Sequence, residues 1–270
     1  MRRFVILAHE ATTNPEFSLN DLCGSAGRMD VLCRGVGAAF FLSHDFRRDV
    51  EVTLLLKGRV QIRLVGEALR QLNPDERSTA ALVKRALENP GEDEVETTPG
   101  IYVRTGDLPS VLDRLYQVGA HPIVLHEEGK PFDPAALPTD AAFFLSDHLP
   151  FSAEDEQALA ELPRLSLGRR SLHTSQCVTI VHYLLDREED EKDQGDLVLC
   201  HKVWGEPKAI LIKGLLEDFH IPVNLVSHVP SSIFPMALDG LSEVRLMVRE
   251  RDLRRAREII TDYFEEIVEE

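Results

Sequence analysis

The sequence predicts an α/β fold with a mostly parallel β-sheet, followed by a small α+β domain. Short β-rich runs alternate with helical segments over the first two thirds of the chain, the pattern of a helix-flanked parallel sheet. The acidic segment DREEDEKDQGD (186–196) contains no apolar residue and interrupts this pattern. The composition, 43% apolar and 28% charged, is that of an ordinary globular protein.

The first elements follow from periodicity and turn residues. RRFVILAH predicts a buried strand, because an apolar run that meets His9 and Glu10 so early is too short for a signal peptide. EVTLLLK and VQIRLVG predict two strands joined across Gly58 as a hairpin. NPDERSTAALVKRALE predicts a helix with Asn73 as N-cap and Pro74 in its first turn. Between the first strand and the hairpin, GRMDVLCRGVGAAFFLSH predicts a helix with an apolar face at Met29, Leu32, Cys33, Val36 and Phe40.

The later elements continue the alternation. The polar segment ENPGEDEVETTPG (88–100) is interpreted as a long surface loop. Strands are predicted for IYVRT, HPIVLH, DAAFFLSDH and PRLSLG, and helices for DLPSVLDRLYQVG, SAEDEQALAEL (capped by Ser152) and SLHTSQCVTIVHYLLDRE. Beyond the acidic segment, a strand, a helix, two strands and a final helix predict a βαββα module, and its roughly 75 residues suffice for a small core.

These boundaries predict a first domain over residues 1–187, an acidic linker over 188–195 and a second domain over 196–270. The net charge of -16 argues against a general nucleic-acid coat protein. The four cysteines have no CxxC pairing, which favours reduced thiols over a disulfide framework. No apolar run approaches the roughly 20 residues of a membrane helix, so we expect a cytoplasmic protein without a membrane partner.

The stretch LSLGRRSLHTSQCVTIVHYLLD raises the question of a metal or thiol site. His173 and Cys177 are four residues apart and could share a helix face, but His182 lies about 180° further round the helix. A catalytic zinc needs three protein ligands, and no third ligand is near in sequence, so no metal is predicted. A cysteine nucleophile has no local support, and Cys177 alone is most simply a small core residue.

Three consecutive strand ends carry polar or small residues, over residues 124–130, 143–152 and 164–175. Loops at the carboxyl ends of parallel strands form one crevice, and ligands of such sheets bind there. Gly168 and the first turn of the following helix add free N–H groups. No GxGxxG or GxxxxGK[ST] motif supports a nucleotide site, so the geometry alone leaves open whether the crevice binds a ligand or is a plain scaffold.

A second charged stretch surrounds the first predicted helix. Arg28, Asp30 and Arg34 flank its glycines and apolar stripe, and further charges follow at His44, Asp45, Arg47, Arg48 and Asp49. Such a run is usually a solvated helix face. Arginine forks nevertheless suit phosphate, and a nearby aspartate could accept a proton from a heterocycle N–H.

The two stretches together resemble a known family. The segments GSAGRMDVLCRGVGAAFFLSHDFRRD, PDER, TPGIYVR, LHEEG, SDH and SLHTSQCVTIVHYLLD, which run from about Met1 to Asp186, are similar in order and content to the archaeal TrmY family. Its members are tRNA pseudouridine-54 N1-methyltransferases of the SPOUT superfamily. The resemblance implies a C-terminal trefoil knot, a homodimer formed through the knotted domain, S-adenosyl-L-methionine as cofactor and tRNA as substrate.

The resemblance also implies site residues. Asp30 would help to deprotonate or orient the N1–H of pseudouridine, and Arg34 and Arg47 would hold phosphate, with Asp30 and Arg34 as the catalytic pair. The residues implied to face the RNA are Arg28, His44, Arg47 and Arg48. The residues implied to contact the cofactor are Leu125, Ser146, Leu167, Gly168, Arg169, Arg170, Ser171, Leu172 and Cys177.

Two positions depart from the family pattern. Ser146 stands where the family usually has glycine, and Gly168-Arg169 stands where it usually has Ser-Pro. Residues 196–270 lie outside this match and resemble a small family of signal-transducing modules with a ferredoxin-like, PII-like fold. Trp204 and Pro207 mark either a surface for a small-molecule or protein ligand of this module or, in the case of Trp204, a core residue.

The predicted function is therefore S-adenosyl-L-methionine-dependent N1-methylation of pseudouridine in tRNA. Two alternatives stay open at this point. The chain could methylate another RNA position, or it could be an S-adenosyl-L-methionine-binding RNA-binding or sensor protein whose tail module signals.

Overall fold

The structure is a computed structural model, and it describes residues 1–193, 197–227 and 243–269. The chain divides into two compact units, Met1–Asp186 and Arg187–Glu270. Within the described ranges, no helix is long and apolar enough to cross a membrane.

The first unit is built on an eight-stranded sheet of order β4-β5-β3-β2-β1-β7-β6-β8. The neighbours among β2, β1, β7, β6 and β8 pair in parallel, and β3, β5 and β4 continue the sheet antiparallel, so the prediction of a mostly parallel α/β sheet is confirmed. The strands are β1 (Arg2–Ala8), β2 (Val50–Leu56), β3 (Val60–Val65), β4 (Val95–Thr98), β5 (Ile101–Thr105), β6 (His121–Pro131), β7 (Ala141–Ser146) and β8 (Arg164–Ser166).

Helices pack on both faces of this sheet, and two separate apolar clusters therefore lie on its two sides. The apolar face predicted for the first helix is buried at all five positions. Every residue of β1 is buried, as expected for a central strand covered on both faces. The helices are α1 (Met29–Phe40), α2 (Glu76–Ala86), α3 (Leu108–Gln117), α4 (Ala153–Ala158) and α5 (Thr174–Asp193).

The predicted hairpin joins β2 and β3 through Lys57 and Gly58, whose φ angles are 49° and 62°. Positive φ at both central residues is the mark of a type I′ turn, which prefers Asn-Gly or Asp-Gly. A lysine in the left-handed region costs roughly 1 kcal/mol relative to an ordinary conformation. The Lys57 N–H donates to the Ala8 carbonyl at 2.7 Å, so the turn is fixed beside the end of β1.

Three local predictions are corrected by the structure. The N-cap of α2 is Asp75, whose side chain accepts from the Ser78 N–H, and not Asn73. The predicted surface loop 88–100 contains β4, which pairs with β5 at the edge of the sheet. Helix α5 continues to Asp193 and thus through most of the stretch predicted as linker. Residues 194 and 195 of that linker lie outside the described ranges, as do the predicted strand ends Asp196 and His228 and the last helical residue, Glu270.

The second unit has the predicted βαββα order, with a three-stranded antiparallel sheet β10-β11-β9. Its elements are β9 (Leu197–Trp204), α6 (Glu206–Asp218), β10 (Asn224–Ser227), β11 (Glu243–Arg249) and α7 (Leu253–Glu269). It has a core of its own, in which Ile212 and Leu216 of α6 pack with Leu246 and Val248 of β11. Trp204 is 60% exposed, so its reading as a core residue is wrong.

Candidate active site

A cavity of about 720 Å³ lies at the carboxyl ends of β6, β7 and β8, where the sequence predicted a crevice. Its walls come from the loop after each of these three strands and from the first turn of α5. Polar and apolar side chains alternate around it, which is typical of a pocket for a small organic ligand. The lining residues are Leu125–Glu127, Leu145–Phe151, Glu156, Leu167, Gly168, Arg170–Thr174, Gln176 and Cys177.

Eight of the nine residues expected to contact a cofactor line this cavity. Arg169 is the exception: it is exposed and does not contribute to the wall. The loops therefore converge as expected, but within the run from Leu167 to Leu172 one side chain points away from the cavity.

The loop after β7 is closed by its own hydrogen bonds and tied to α5. The Ser146 hydroxyl donates to the Leu149 carbonyl, and the Thr174 hydroxyl donates to the Ser146 carbonyl at 2.8 Å. Ser146 is not among the residues with positive φ, so this loop does not require the glycine that the family usually carries there. The serine departure is thus compatible with the same loop shape.

The part of β6 that follows Leu125 passes directly over β8. Leu125 and Lys130 both pair with Leu165, so the four residues between them leave the strand and return to it. A Cβ added at Gly129 would lie 2.7 Å from backbone atoms of Arg164 and Leu165, and only glycine allows so close an approach. In the next loop Gly168 has φ 142°, again a conformation that favours glycine, and its N–H is held by the Ser166 hydroxyl at 3.1 Å.

Cys177 lines the cavity as a neutral thiol. Burial, and after it the charge of Glu127, raises the pKa of Cys177 to about 11, so the thiolate needed for nucleophilic attack is scarce at neutral pH. Glu127 itself stays ionised, because its own backbone N–H and the Ser171 hydroxyl hold its pKa below the usual range. The Glu127 carboxylate and the neutral Cys177 thiol are therefore neighbours in the cavity wall.

His9 forms a cluster beside the cavity that sequence reasoning missed. Its Nδ1 lies 3.2 Å from Asp147 Oδ1 and its Nε2 lies 2.9 Å from Asp155 Oδ2. The hydrogen bond to Asp147 and, against the effect of burial, the one to Asp155 raise the pKa of His9 to about 9, so the ring is a cation that joins both carboxylates. The available signal was positional, since a histidine directly follows the central strand at its carboxyl end.

Arg28, Asp30 and Arg34 form a second cluster at the start of α1. Asp30 is 3% exposed and accepts from Arg28 Nε at 3.0 Å and from Arg34 Nη2 at 2.7 Å. Burial alone would raise the pKa of Asp30, but the bonds from both guanidiniums outweigh it and hold that pKa far below the usual range. Such a carboxylate is a weak base. The charge of Asp147, a residue of the cavity wall, contributes to raising the pKa of Arg28, so this cluster lies near the cavity.

Gly27 brings this cluster to the end of β1. Its φ is 60°, and a Cβ there would lie 2.0 Å from the Glu10 carbonyl oxygen. The chain before α1 therefore contacts the turn after β1 backbone to backbone, which only glycine permits. Gly27 was not singled out in the sequence.

The other residues expected to face RNA lie at the opposite end of the sheet. Arg47 is bonded through both terminal nitrogens to Asp186, at 3.1 Å for Nη1, and Arg2 at the start of β1 bonds the same carboxylate. Arg48 donates to the Gly66 carbonyl at 3.2 Å and to the Leu69 carbonyl. Seven residues of β1 separate this end from the cavity, about 20 Å at the usual strand rise. Arg47, which was expected to hold phosphate, and Arg48 and His44, which were expected to face the RNA, therefore lie away from this cavity in a single protomer, and His44 is exposed in its loop.

The three residues first considered as metal ligands are not all brought together by the fold. His173 and Cys177 both line the cavity, and only His182 is apart from them, buried with its Nδ1 3.2 Å from Arg2 Nη1. Burial, and then the charges of Arg47 and Arg2, lower the pKa of His182 to about 4, so it is neutral. Among the residues that the structure describes, no three histidine, cysteine or acidic side chains are grouped to hold a metal ion.

The sheet and its strand-end cavity define an α/β protein with a mostly parallel sheet and a ligand-sized pocket at its strand ends. The structure of Archaeoglobus fulgidus Nep1 bound to S-adenosylhomocysteine shares this fold, with a TM-score of 0.54 and 16% sequence identity over 70% of this chain and 99% of that one. A family model described as "Putative SAM-dependent RNA methyltransferase" matches residues 1–190. The chain belongs to this family of S-adenosyl-L-methionine-dependent RNA methyltransferases.

Curated relatives are similar over nearly their whole length. A tRNA (pseudouridine(54)-N(1))-methyltransferase of Methanococcoides burtonii is 45% identical over 72% of this chain and 100% of its own. The enzyme of the same name from Haloarcula marismortui is 47% identical over 69% of this chain and 96% of its own. A second family model, described as "Putative prokaryotic signal transducing protein", matches residues 206–263.

Proposed function

We propose that the chain transfers a methyl group from S-adenosyl-L-methionine to N1 of pseudouridine 54 in tRNA. The observation that carries this proposal is the identity of 45% across the full length of a relative named for that reaction. The strand-end cavity supports it, because the residues matched to the family's cofactor loops converge there. No other cavity is needed for the reaction.

The cavity suits an adenosyl ligand in size and chemistry. Its volume of about 720 Å³ falls within the range of pockets for molecules of this size. Leu125, Leu167 and Leu172 would contact the flat apolar base, and Glu127 and Ser171 would contact polar groups of the sugar or the amino acid part. The family's cofactor role is thus proposed for the eight lining residues, and Arg169 is excluded from it. When bound, the cofactor supplies an electrophilic methyl group on a sulfonium.

The protein's part in the reaction is orientation. N1 of the base forms the new bond to carbon while the carbon–sulfur bond breaks and its electron pair stays on sulfur. The N1 proton must leave, and we infer that it passes to solvent water. The ionised carboxyl groups of Asp30, Asp147 and Glu127 all have lowered pKa values and are weak bases. Proximity and alignment then supply most of the rate increase.

Asp30 and Arg34 act in this scheme as positioning residues. Asp30 holds Arg28 and Arg34 in fixed positions, with Arg34 also bonded to Glu76 at 3.2 Å. Arg28 lies nearest to the cavity and would contact the RNA. This replaces the deprotonating role considered for Asp30 with an orienting one.

Three further features of the family are proposed for this chain. The part of β6 that follows Leu125 crosses β8, and this crossing supports a trefoil knot in which α5 follows the threaded segment.

Tyr183, 62% exposed on α5, supports a homodimer through this domain, which light scattering would test. The antiparallel sheet of the second unit supports a ferredoxin-like module, and exposed Trp204 supports a ligand surface on it. The reaction would take place in the cytoplasm, where tRNA is modified.

The test is nucleoside mass spectrometry of tRNA from a deletion strain and from the same strain complemented with the gene. We expect N1-methylpseudouridine to be lost on deletion and restored on complementation. If N1-methylpseudouridine were lost from another RNA instead, that RNA would be the substrate. Unchanged nucleosides, together with cofactor binding by calorimetry, would favour the sensor alternative that the second family match suggests.

A further inference from the structure

The first unit carries cationic side chains that have no hydrogen-bond, ion-pair or electrostatic partner among its described residues. One of them, Arg85, lies in the last turn of α2. The other five are exposed and lie at or next to strand ends on the cavity's edge of the sheet. They are Lys57, Arg59, Lys130, Arg169 and Arg170. In a chain of net charge -16, free cations gathered along one edge indicate a surface for an anionic partner.

The two groups of free cations stand on either side of the cavity. Lys57 and Arg59 belong to the β2–β3 turn, whereas Arg169 and Arg170 belong to the loop after β8. Four strand spacings separate β2 from β8 in the sheet, about 19 Å at the usual distance between strands. A nucleic-acid strand with a rise of about 3.4 Å per nucleotide covers this distance with roughly six nucleotides.

Lys57 has a left-handed backbone conformation, which lysine rarely adopts. Its φ of 49° belongs to a type I′ turn, in which asparagine, aspartate or glycine would cost less. Strained residues are kept where the structure around them or a function requires them. The Lys57 side chain makes no hydrogen bond or ion pair within the described part of the first unit, which favours an external partner for its charge.

Acidic groups on the same edge are largely engaged. Glu10 lies 3.2 Å from His148 Nε2, and Glu127 interacts with the Ser171 hydroxyl. Asp107 caps α3 by accepting from the Ser110 N–H at 3.0 Å. Glu128 is exposed two residues before Lys130, and Asp107 lines a surface pocket together with Arg59, so each group of cations is partly offset by one acid.

We propose that the RNA strand lies along this edge of the sheet, with its phosphates held by Lys57 and Arg59 of the hairpin on one side of the cavity and by Arg169 and Arg170 on the other. This inference rests on the proposed function and names the surface by which the substrate is bound. It places phosphate contacts near the cavity, whereas Arg47, which was expected to hold phosphate, is paired with Asp186 at the far end of the sheet.

The experiment compares tRNA binding by the full chain and its variants at several salt concentrations. The hairpin variant Lys57→Asn/Arg59→Gln and the single variant Arg169→Ala are each expected to weaken binding, the hairpin variant roughly tenfold. Loss of two phosphate contacts should also flatten the slope of log K against log salt by about 1.4. S-adenosyl-L-methionine affinity, measured by calorimetry, should stay unchanged in both, because none of the three residues lines the cavity.

Two controls separate loss of binding from loss of folding. Arg77→Ala removes an exposed arginine from the start of α2, outside both groups of free cations, and should leave tRNA affinity and salt slope unchanged. Lys57→Asn alone relieves the left-handed lysine, so its thermal midpoint should rise while its tRNA affinity falls. A misfolded variant would instead show a lower thermal midpoint together with a lower tRNA affinity.

The outcomes for the inference and for the proposed function differ. Wild-type binding and methylation of tRNA, with unchanged affinity and salt slope in the hairpin variant, would overturn the inference and leave the function standing. A wild-type chain that binds S-adenosyl-L-methionine but not tRNA would overturn both.

Discussion

At the scale of single residues, the half-buried cation His9 determines how the cavity loops respond to pH. Its pKa of about 9 in the folded protein lies above the ordinary value of 6.5, so its contribution to stability is complete below pH 6.5 and is lost as pH rises through 9. We expect the thermal midpoint of the wild type to fall across this window, by an amount corresponding to roughly 1 to 2 kcal/mol after allowance for solvent screening.

The His9→Asn variant should lose most of this pH dependence, since its amide does not titrate. His44→Asn, which changes an exposed loop histidine, should keep it. Differential scanning calorimetry between pH 6 and 10 measures both. An equal pH dependence in wild type and His9→Asn would contradict the assignment of the charge to this ring.

Asp30 gives the second prediction at this scale. Asp30→Asn keeps the shape of the side chain but removes the charge that fixes Arg28 and Arg34, so turnover should fall about 10- to 100-fold through lost alignment. Cofactor affinity should stay unchanged. Because Asp30 is already a weak base, the pH–rate profile should keep its shape, and a profile that loses a limb in Asp30→Asn would restore the deprotonating role.

How far the site could be predicted also varies from residue to residue. The cofactor loops were predictable, because loops at adjacent parallel strand ends must converge. His9 was not, since its two partners come from a loop and a helix more than 130 residues away. The ion pair between Arg47 and Asp186 was not predictable either, because sequence shows that an arginine is charged but not that a carboxylate of α5 pairs with it.

At the scale of elements, the position of α1 depends on the contact between Gly27 and the turn after β1. Gly27→Ala introduces a Cβ 2.0 Å from the Glu10 carbonyl at a φ of 60°, so the start of α1 must move. We expect a loss of roughly 3 kcal/mol in the free energy of unfolding. Urea denaturation followed by circular dichroism measures it.

A matched control lies ten residues further along the chain, within α1. A Cβ at Gly37 meets nothing within 4 Å, and its φ is ordinary, so Gly37→Ala should stabilise the chain by about 0.5 to 1 kcal/mol through helix propensity. If Gly27→Ala were as well tolerated as Gly37→Ala, the close backbone contact would not hold in solution.

Elements whose signal is local were predicted best. The α1 stripe and the β2–β3 hairpin were confirmed, because helical periodicity and turn residues determine them within a few residues. Strand β4 was missed because its residues VETT are polar and only pairing with β5 defines them as a strand. The cap of α2 was misplaced by two residues, since Asn73 and Asp75 are both favourable caps and the geometry of the preceding turn chooses between them.

At the scale of the whole molecule, the first unit should be sufficient for catalysis. It has its own apolar clusters on both faces of the sheet, and relatives named for the reaction end where it ends, with one of them covered over 100% of its length. A chain of residues 1–193 keeps α5 intact. We expect it to fold cooperatively and to methylate tRNA with a turnover within about twofold of the full chain, because every residue proposed for cofactor or RNA lies within it. Single-turnover assays with both chains measure this, and a truncated chain that is folded by circular dichroism yet inactive would assign the second unit a direct part in catalysis.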